Sequence, residues 1–101
     1  MPKGYVILTE DIQDRDGMDA YGPASWPSVV EYGGKCLVAN ENFEVIEGEW
    51  HGTRTVVMEY ESVEQARQWY TSASYQAVLP MRLAASDCNG IIVAGFEPPA
   101  R

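Results

Sequence analysis

A chain of 101 residues, 46% hydrophobic and 11% aromatic, is long enough for one compact domain with its own core and too short for two. Its net charge of −8 argues against a nucleic-acid partner, which needs a basic face to replace released counterions, and equally against an anionic membrane surface. No apolar run approaches the ~18 residues of a membrane span, and "MPKGYVIL" enters a strand without a signal-peptide core. A single domain over residues 1–101 in a cytoplasmic setting is the expectation.

In chain order, "KGYVILTE" (3–10) is a short apolar run rich in β-branched and aromatic residues and reads as a buried strand. Asp14 or Asp16 can cap a helix, and Met18, Tyr21, Ser25, Val29 and Tyr32 recur near helical spacing. Pro23 and Pro27 predict that this helix is broken, with a turn near Met18–Tyr21 and a better piece from Pro23 to Tyr32. Gly33 and Gly34 supply the stop, one of them at positive φ. The next pieces, "KCLVAN" and "FEVIEG", read as one long strand bulged at Asn40–Asn42. After "GEWHG", this strand is expected to pair as a hairpin with "TRTVVMEY". Ser62 with Gln65 forms a capping box opening a helix whose Val63, Ala66 and Tyr70 share a face, with Trp69 beside it. A cap at Ser74 starts a helix kinked at Pro80, and "NGIIVAGF" is the last strand before a tail over 96–101.

The order strand, helix, strand, strand, helix pair, strand is the split βαβ arrangement of an α+β ferredoxin-like fold, with an extra helix over a four-stranded antiparallel sheet. The strands are apolar on both faces, as in "YVIL" and "TVVM", whereas the helices suffice to cover one. A second copy of the same sheet is the simplest cover, so we expect a homodimer through the sheet face. Glu59 on that face then needs a partner such as Arg67, Arg82 or a residue of the second copy.

The segments "KGYVI", "YGGKCLV", "VIEGEW", "RTVVMEY", "SVEQARQWYTSASYQAVLPMR" and "IIVAGF", in this order, resemble the domain of unknown function 1330 family within the dimeric α/β-barrel superfamily. The resemblance spans nearly the whole chain and implies a ferredoxin-like protomer pairing sheet to sheet. It implies no activity. Cofactor-independent monooxygenases, lactone isomerases and haem-degrading proteins occur elsewhere in the superfamily, but none of their catalytic residues maps onto a numbered position here, and the analogy stays at the level of the fold.

Topology directs the search for a site. In a split βαβ fold the end of the first strand, the hairpin and the start of the last strand meet at one end of the sheet, which gathers Thr9, Glu10, Trp50, His51, Arg54 and Asp87. Histidine is the side chain whose ordinary titration suits proton transfer near neutral pH, so His51 is the catalytic candidate, set against the plain reading of an exposed turn residue. Arg54 can receive a substrate carboxylate through a two-pronged hydrogen bond or pair with Glu10 or Asp87. Tyr21 and Trp26 offer apolar walls with polar tips for a small-molecule ligand, or belong to the core. Cys36 and Cys88 read as reduced structural thiols. No metal site is assigned, because the acidic stretch Glu44, Glu47, Glu49 before the one histidine reads as solvated. No tightly held cofactor is expected, since no nucleotide-binding glycine motif occurs. Two functions remain: a cofactor-independent enzyme or binder for a small, largely apolar molecule between sheet and helices, or a non-catalytic dimeric ligand-sensing or accessory module.

Overall fold

The computed structural model describes residues 2–99, so Met1 of the expected domain span and Ala100 and Arg101 of the expected tail lie outside the described residues. Four strands, β1 (Gly4–Ile12), β2 (Lys35–Asn40), β3 (Arg54–Tyr60) and β4 (Ser86–Ala94), form one antiparallel sheet in the order β2-β3-β1-β4. Helices α1 (Arg15–Glu31), α2 (Val63–Thr71), α3 (Ala73–Gln76) and α4 (Leu79–Ala85) connect them. This is the ferredoxin-like α+β fold that the alternation of strand and helix signals predicts.

Period-two alternation along β1 decides which face is core. Gly4, Val6, Leu8 and Glu10 are buried, whereas Tyr5, Ile7 and Thr9 between them are only half-buried. The buried set meets Met58 and Tyr60 of β3 and the inner residues of all four helices, with Met18, Tyr21, Val29, Ala66, Trp69, Tyr75, Leu79 and Ala85 filling the layer. Trp69 sits at its centre, 4.1 Å from the Tyr75 ring and 5.6 Å from the Tyr60 ring, with its indole nitrogen donating to the Ser28 hydroxyl at 3.1 Å. That bond satisfies a buried donor that would otherwise oppose burial of the ring.

Several local expectations are corrected. Helix α1 runs unbroken through Pro23 and Pro27, because both prolines lie on its exposed side, where carbonyls deprived of an N–H partner meet solvent. The Asp14 side chain caps it through the Gly17 amide, and Gly33, at φ +75°, ends it. The bulge expected at Asn40–Asn42 falls between Cys36 and Val38, and 43–48 forms no strand. Asn40 already pairs with Thr55, so β3 has almost nothing left to offer the chain beyond, and Gly48 and Gly52 turn it away at positive φ. The second helical cap is Ser72 rather than Ser74, and Pro80 stands in the first turn of α4, where it starts the helix instead of kinking it. On α2 the buried pair is Ala66 and Trp69, while Tyr70 stays 37% exposed.

Candidate functional site

A cavity of about 310 Å³ lies between β1, β4, α2 and α4. Its floor is Val6, Leu8 and Ile92, Tyr70 forms a wall, and Leu83 and Ile91, both more than half exposed, mark its opening. The size falls at the lower end of ligand sites, and the walls are apolar as such sites usually are. One charged side chain lines it: Arg82, only 3% exposed.

Arg82 is placed by α4. Helical spacing from Leu79 to Arg82 turns both toward the sheet, and the Arg82 Nε donates to the Tyr75 hydroxyl at 3.2 Å. The Tyr75 and Tyr21 hydroxyls are 2.6 Å apart, and burial together with Tyr75 pushes the Tyr21 hydroxyl well above its ordinary range. Two phenol hydroxyls thus stand behind the arginine. Among the described residues the bond to Tyr75 is the only hydrogen bond of this guanidinium, a fork with five donors, so most of its hydrogen-bonding capacity is unused by protein.

The sheet register supplies the rest of the polar corner. Glu10 on β1 pairs with Arg54 on β3 and with Cys88 on β4, so these three side chains form a row on the helix-covered face. Cys88 lines the cavity directly, which puts Glu10 next to it. Glu10 is 2% exposed, and its Oε1 has no hydrogen-bond partner among the described residues. The nearest cation to that oxygen is Arg54 Nη1 at 4.0 Å. Burial raises the Glu10 carboxyl above its usual range, and Arg82 and then Arg54 only partly oppose this. Arg54 is engaged elsewhere, at 3.3 Å from Glu41, which also takes a bidentate pair of bonds from Arg15 at 2.7 and 2.9 Å. The Arg15 guanidinium holds the Glu41 carboxyl down at about 2.

The four residues singled out from sequence do not converge. Tyr21 is buried behind Arg82 through Tyr75, and Arg54 sits at the outer edge of the Glu10 row. Trp26 is 46% exposed on α1, apart from both the cavity and its lining. His51 lies across the sheet: its Nδ1 is 2.7 Å from the hydroxyl of Thr9, a residue of the opposite face, and its Nε2 is 3.7 Å from Asp87. The sheet end does gather Thr9, Glu10, His51, Arg54 and Asp87 as expected, but alternation along β1 deals them to two faces. The Tyr21–Trp26 segment belongs to the regular helix α1. From sequence, Arg82 enters only as a candidate partner for Glu59 and not as a site residue. The signal was its position three residues after Leu79 on the inward stripe.

A second, larger groove of about 680 Å³ lies beside the uncovered face, lined by Val38, Asn40, Phe43, Ile46, Trp50 and Thr55 among others. Within it Trp50 Nε1 donates to Thr55 Oγ1 at 2.9 Å. It carries no buried charge. Among the described residues no group of three or more His, Cys, Asp or Glu side chains is arranged to hold a metal ion, and no helix is long and apolar enough to cross a membrane.

The family model described as "Domain of unknown function (DUF1330)" matches residues 3–96. The chain belongs to this family. A search of curated proteins finds no match. Among solved structures, a protein of unknown function from Rhodopseudomonas palustris is 20% identical with a TM-score of 0.78, covering 96% of this chain and 85% of that one. A dimeric ferredoxin-like protein of unknown function from Thermobifida fusca is 13% identical with a TM-score of 0.62, covering 92% and 91%. SnoaB, a cofactor-independent oxygenase from Streptomyces nogalater, is 6% identical with a TM-score of 0.66, covering 97% of both chains. At these identities the likeness is one of fold.

Proposed function

We propose that this DUF1330 protein is a homodimer that binds a small, largely apolar molecule carrying one anionic or acidic oxygen, in the cavity between sheet and helices, and acts on it without a tightly held cofactor. The observation that carries the reading is Arg82: a buried guanidinium lining an apolar cavity with most of its donors unused. A buried cation without a full set of partners is costly. A ligand oxyanion at Arg82 would complete them while the ligand body covers Val6, Leu8, Tyr70 and Ile92. Cys88 lines the same cavity, with Glu10 across the strand pair from it, and Tyr75, backed by Tyr21, orients the guanidinium. The catalytic part draws on analogy with the cofactor-independent oxygenase of like fold, and the dimer on the dimeric relative together with the uncovered sheet face.

A thermal-shift screen of aromatic carboxylates and phenols against their uncharged esters and ethers tests it, since a ligand that binds only the folded state raises the melting temperature. Anionic members are expected to stabilise the wild type and to lose at least tenfold in affinity with Arg82→Met. Equal stabilisation by charged and uncharged members would remove Arg82 as anchor, and binding without any turnover would make the protein a ligand sensor rather than an enzyme.

A further inference from the structure

The anchoring of a ligand on Arg82 leaves the Cys88 thiol, which lines the same cavity, without a task. We propose that Cys88 is a nucleophile and that the cavity takes an electrophilic acid: an unsaturated keto acid rests its carboxylate on Arg82 and receives the Cys88 sulfur at the neighbouring carbon. The inference rests on the reading of Arg82 as the anchor.

Along the helix-covered face of β4 the residues run Cys88, Gly90, Ile92, opposite Glu10, Leu8 and Val6 of β1. Gly90 makes the gap between the other two, because a Cβ there would stand 2.7 Å from Leu8 Cδ2 and take up the cavity floor. Cys88 is free and half-buried, so a ligand seated over Gly90 reaches its sulfur. Arg82 is an independent sign that the ligand is an anion. It is 3% exposed, its two terminal nitrogens make no hydrogen bond among the described residues, and they are not sealed in as Glu10 Oε1 and the Tyr60 hydroxyl are. A guanidinium this buried, with donors open to a cavity, calls for a carboxylate there.

Ser86 connects the two residues. Its hydroxyl donates to the Arg82 carbonyl at 3.0 Å and lies 2.7 Å from Cys88 Sγ. A hydroxyl carries one proton, so with that proton on the carbonyl it accepts the thiol S–H. Once the thiol proton has gone, the hydroxyl can turn to the sulfur, because the Ser86 amide also bonds the Arg82 carbonyl and keeps it satisfied. The reacting form of a cysteine is the thiolate. The S–H bond breaks and its proton passes to solvent at the cavity mouth. A bond forms from Sγ to the carbon that bears the anchored carboxylate and lies β to the ketone. The double-bond electron pair moves to the carbon next to the ketone, which takes a proton from solvent. The net change is addition of S–H across a C=C bond, with no oxidant or reductant consumed. Holding the carboxylate on Arg82 makes the encounter of sulfur and carbon local.

The experiment treats the folded protein with 3-benzoylacrylate, an aromatic keto acid of this kind, or with its ethyl ester, and counts adducts at Cys88 and Cys36 by peptide mass spectrometry. Cys36 is an exposed free thiol on β2, the opposite edge strand, so the ratio of the two rates cancels the reagent's own reactivity. The acid is expected to label Cys88 at least about tenfold faster than Cys36, and the ester to lose that preference. Arg82→Met should bring the acid's ratio down to the ester's. In the wild type, excess 2-naphthoate should slow labelling of Cys88 and leave Cys36 unchanged, a result that needs no variant. A ratio of one or less with the acid, or a ratio that acid and ester share, overturns the inference, as does 2-naphthoate that binds without protecting Cys88. If 2-naphthoate then still stabilises the wild type more than its methyl ester does, Arg82 stands as the anchor; if it does not, both readings fall together.

Discussion

Two buried oxygens lack hydrogen-bond partners among the described residues, Glu10 Oε1 and the Tyr60 hydroxyl, and they differ in what they can do. The Tyr60 hydroxyl, pushed up by burial, stays neutral at any ordinary pH, so its isolation is a fixed local cost. Glu10 can change charge, and its isolation therefore appears as a pH dependence of stability. Its folded-state carboxyl titrates above the ordinary 4.5, so between that value and the raised one the folded state binds more protons than the unfolded chain. Stability must then fall as pH rises through this window and level off above it. Glu41 and Glu61, held down by Arg15 and Lys3, act on the other side of 4.5, where their contribution is lost as pH falls. Urea unfolding of wild type and Glu10→Gln from pH 4.5 upward isolates the effect: the variant is expected to lack the decline and to be the more stable protein above the window. Parallel curves for the two would show that Glu10 keeps its ordinary titration in the fold.

Among the elements, α2 shows how finely burial is decided. Trp69 and Tyr70 are neighbours, but the helix turns the tryptophan into the stack with Tyr60 and Tyr75 and leaves the tyrosine at the cavity wall. Trp69→Ala should cost about 3–5 kcal/mol, the range for truncating a buried large aromatic. Tyr70→Ala should cost about 1 kcal/mol or less, its effect appearing instead in ligand binding. Denaturant midpoints at unchanged slope would measure both, and a Tyr70 loss as large as that of Trp69 would place Tyr70 in the core. From sequence, this helix, its Ser62 cap and its inward side were legible, yet periodicity fixes a face only to within a residue, and it favoured Tyr70 over its neighbour. The prolines of α1 were misleading for a related reason. Their penalty depends on which side of the helix they occupy, and that is known only once the core is. The strands were easier, because alternation and β-branched runs are local signals, whereas the length of β2 depended on how much partner β3 retained. The polar corner was the least legible part, since Glu10 lies far along the chain from Arg82 and Cys88, and only the register of β1 with β4 brings it beside Cys88.

At the scale of the whole molecule the sheet is covered on one side only. Its other face presents Tyr5, Ile7 and Thr9 of β1, Val57 of β3, and Val38, Ile91 and Val93, the last three more than 40% exposed. Glu59 on this face accepts a bond from Tyr5 at 2.9 Å, its partner directly across the strand pair, so within the protomer it is met by Tyr5 rather than by Arg67 or Arg82. The radius of gyration, 14.2 Å, exceeds the roughly 13 Å of a compact chain of this length. The excess fits the connector after Asn40, where Phe43, Val45, Ile46 and Trp50 are all exposed. An apolar face flanked by an apolar arm is what a monomer avoids and a twofold interface uses. Light scattering at micromolar concentration should accordingly give a mass near twice 11.2 kDa. Val57→Lys, at the centre of the face, should shift that mass toward one protomer while leaving the helix-side core in place, and a cooperative thermal unfolding transition checks that the variant is folded. A wild type that stays monomeric at high concentration would mean that the face is closed by something other than a second copy of this chain.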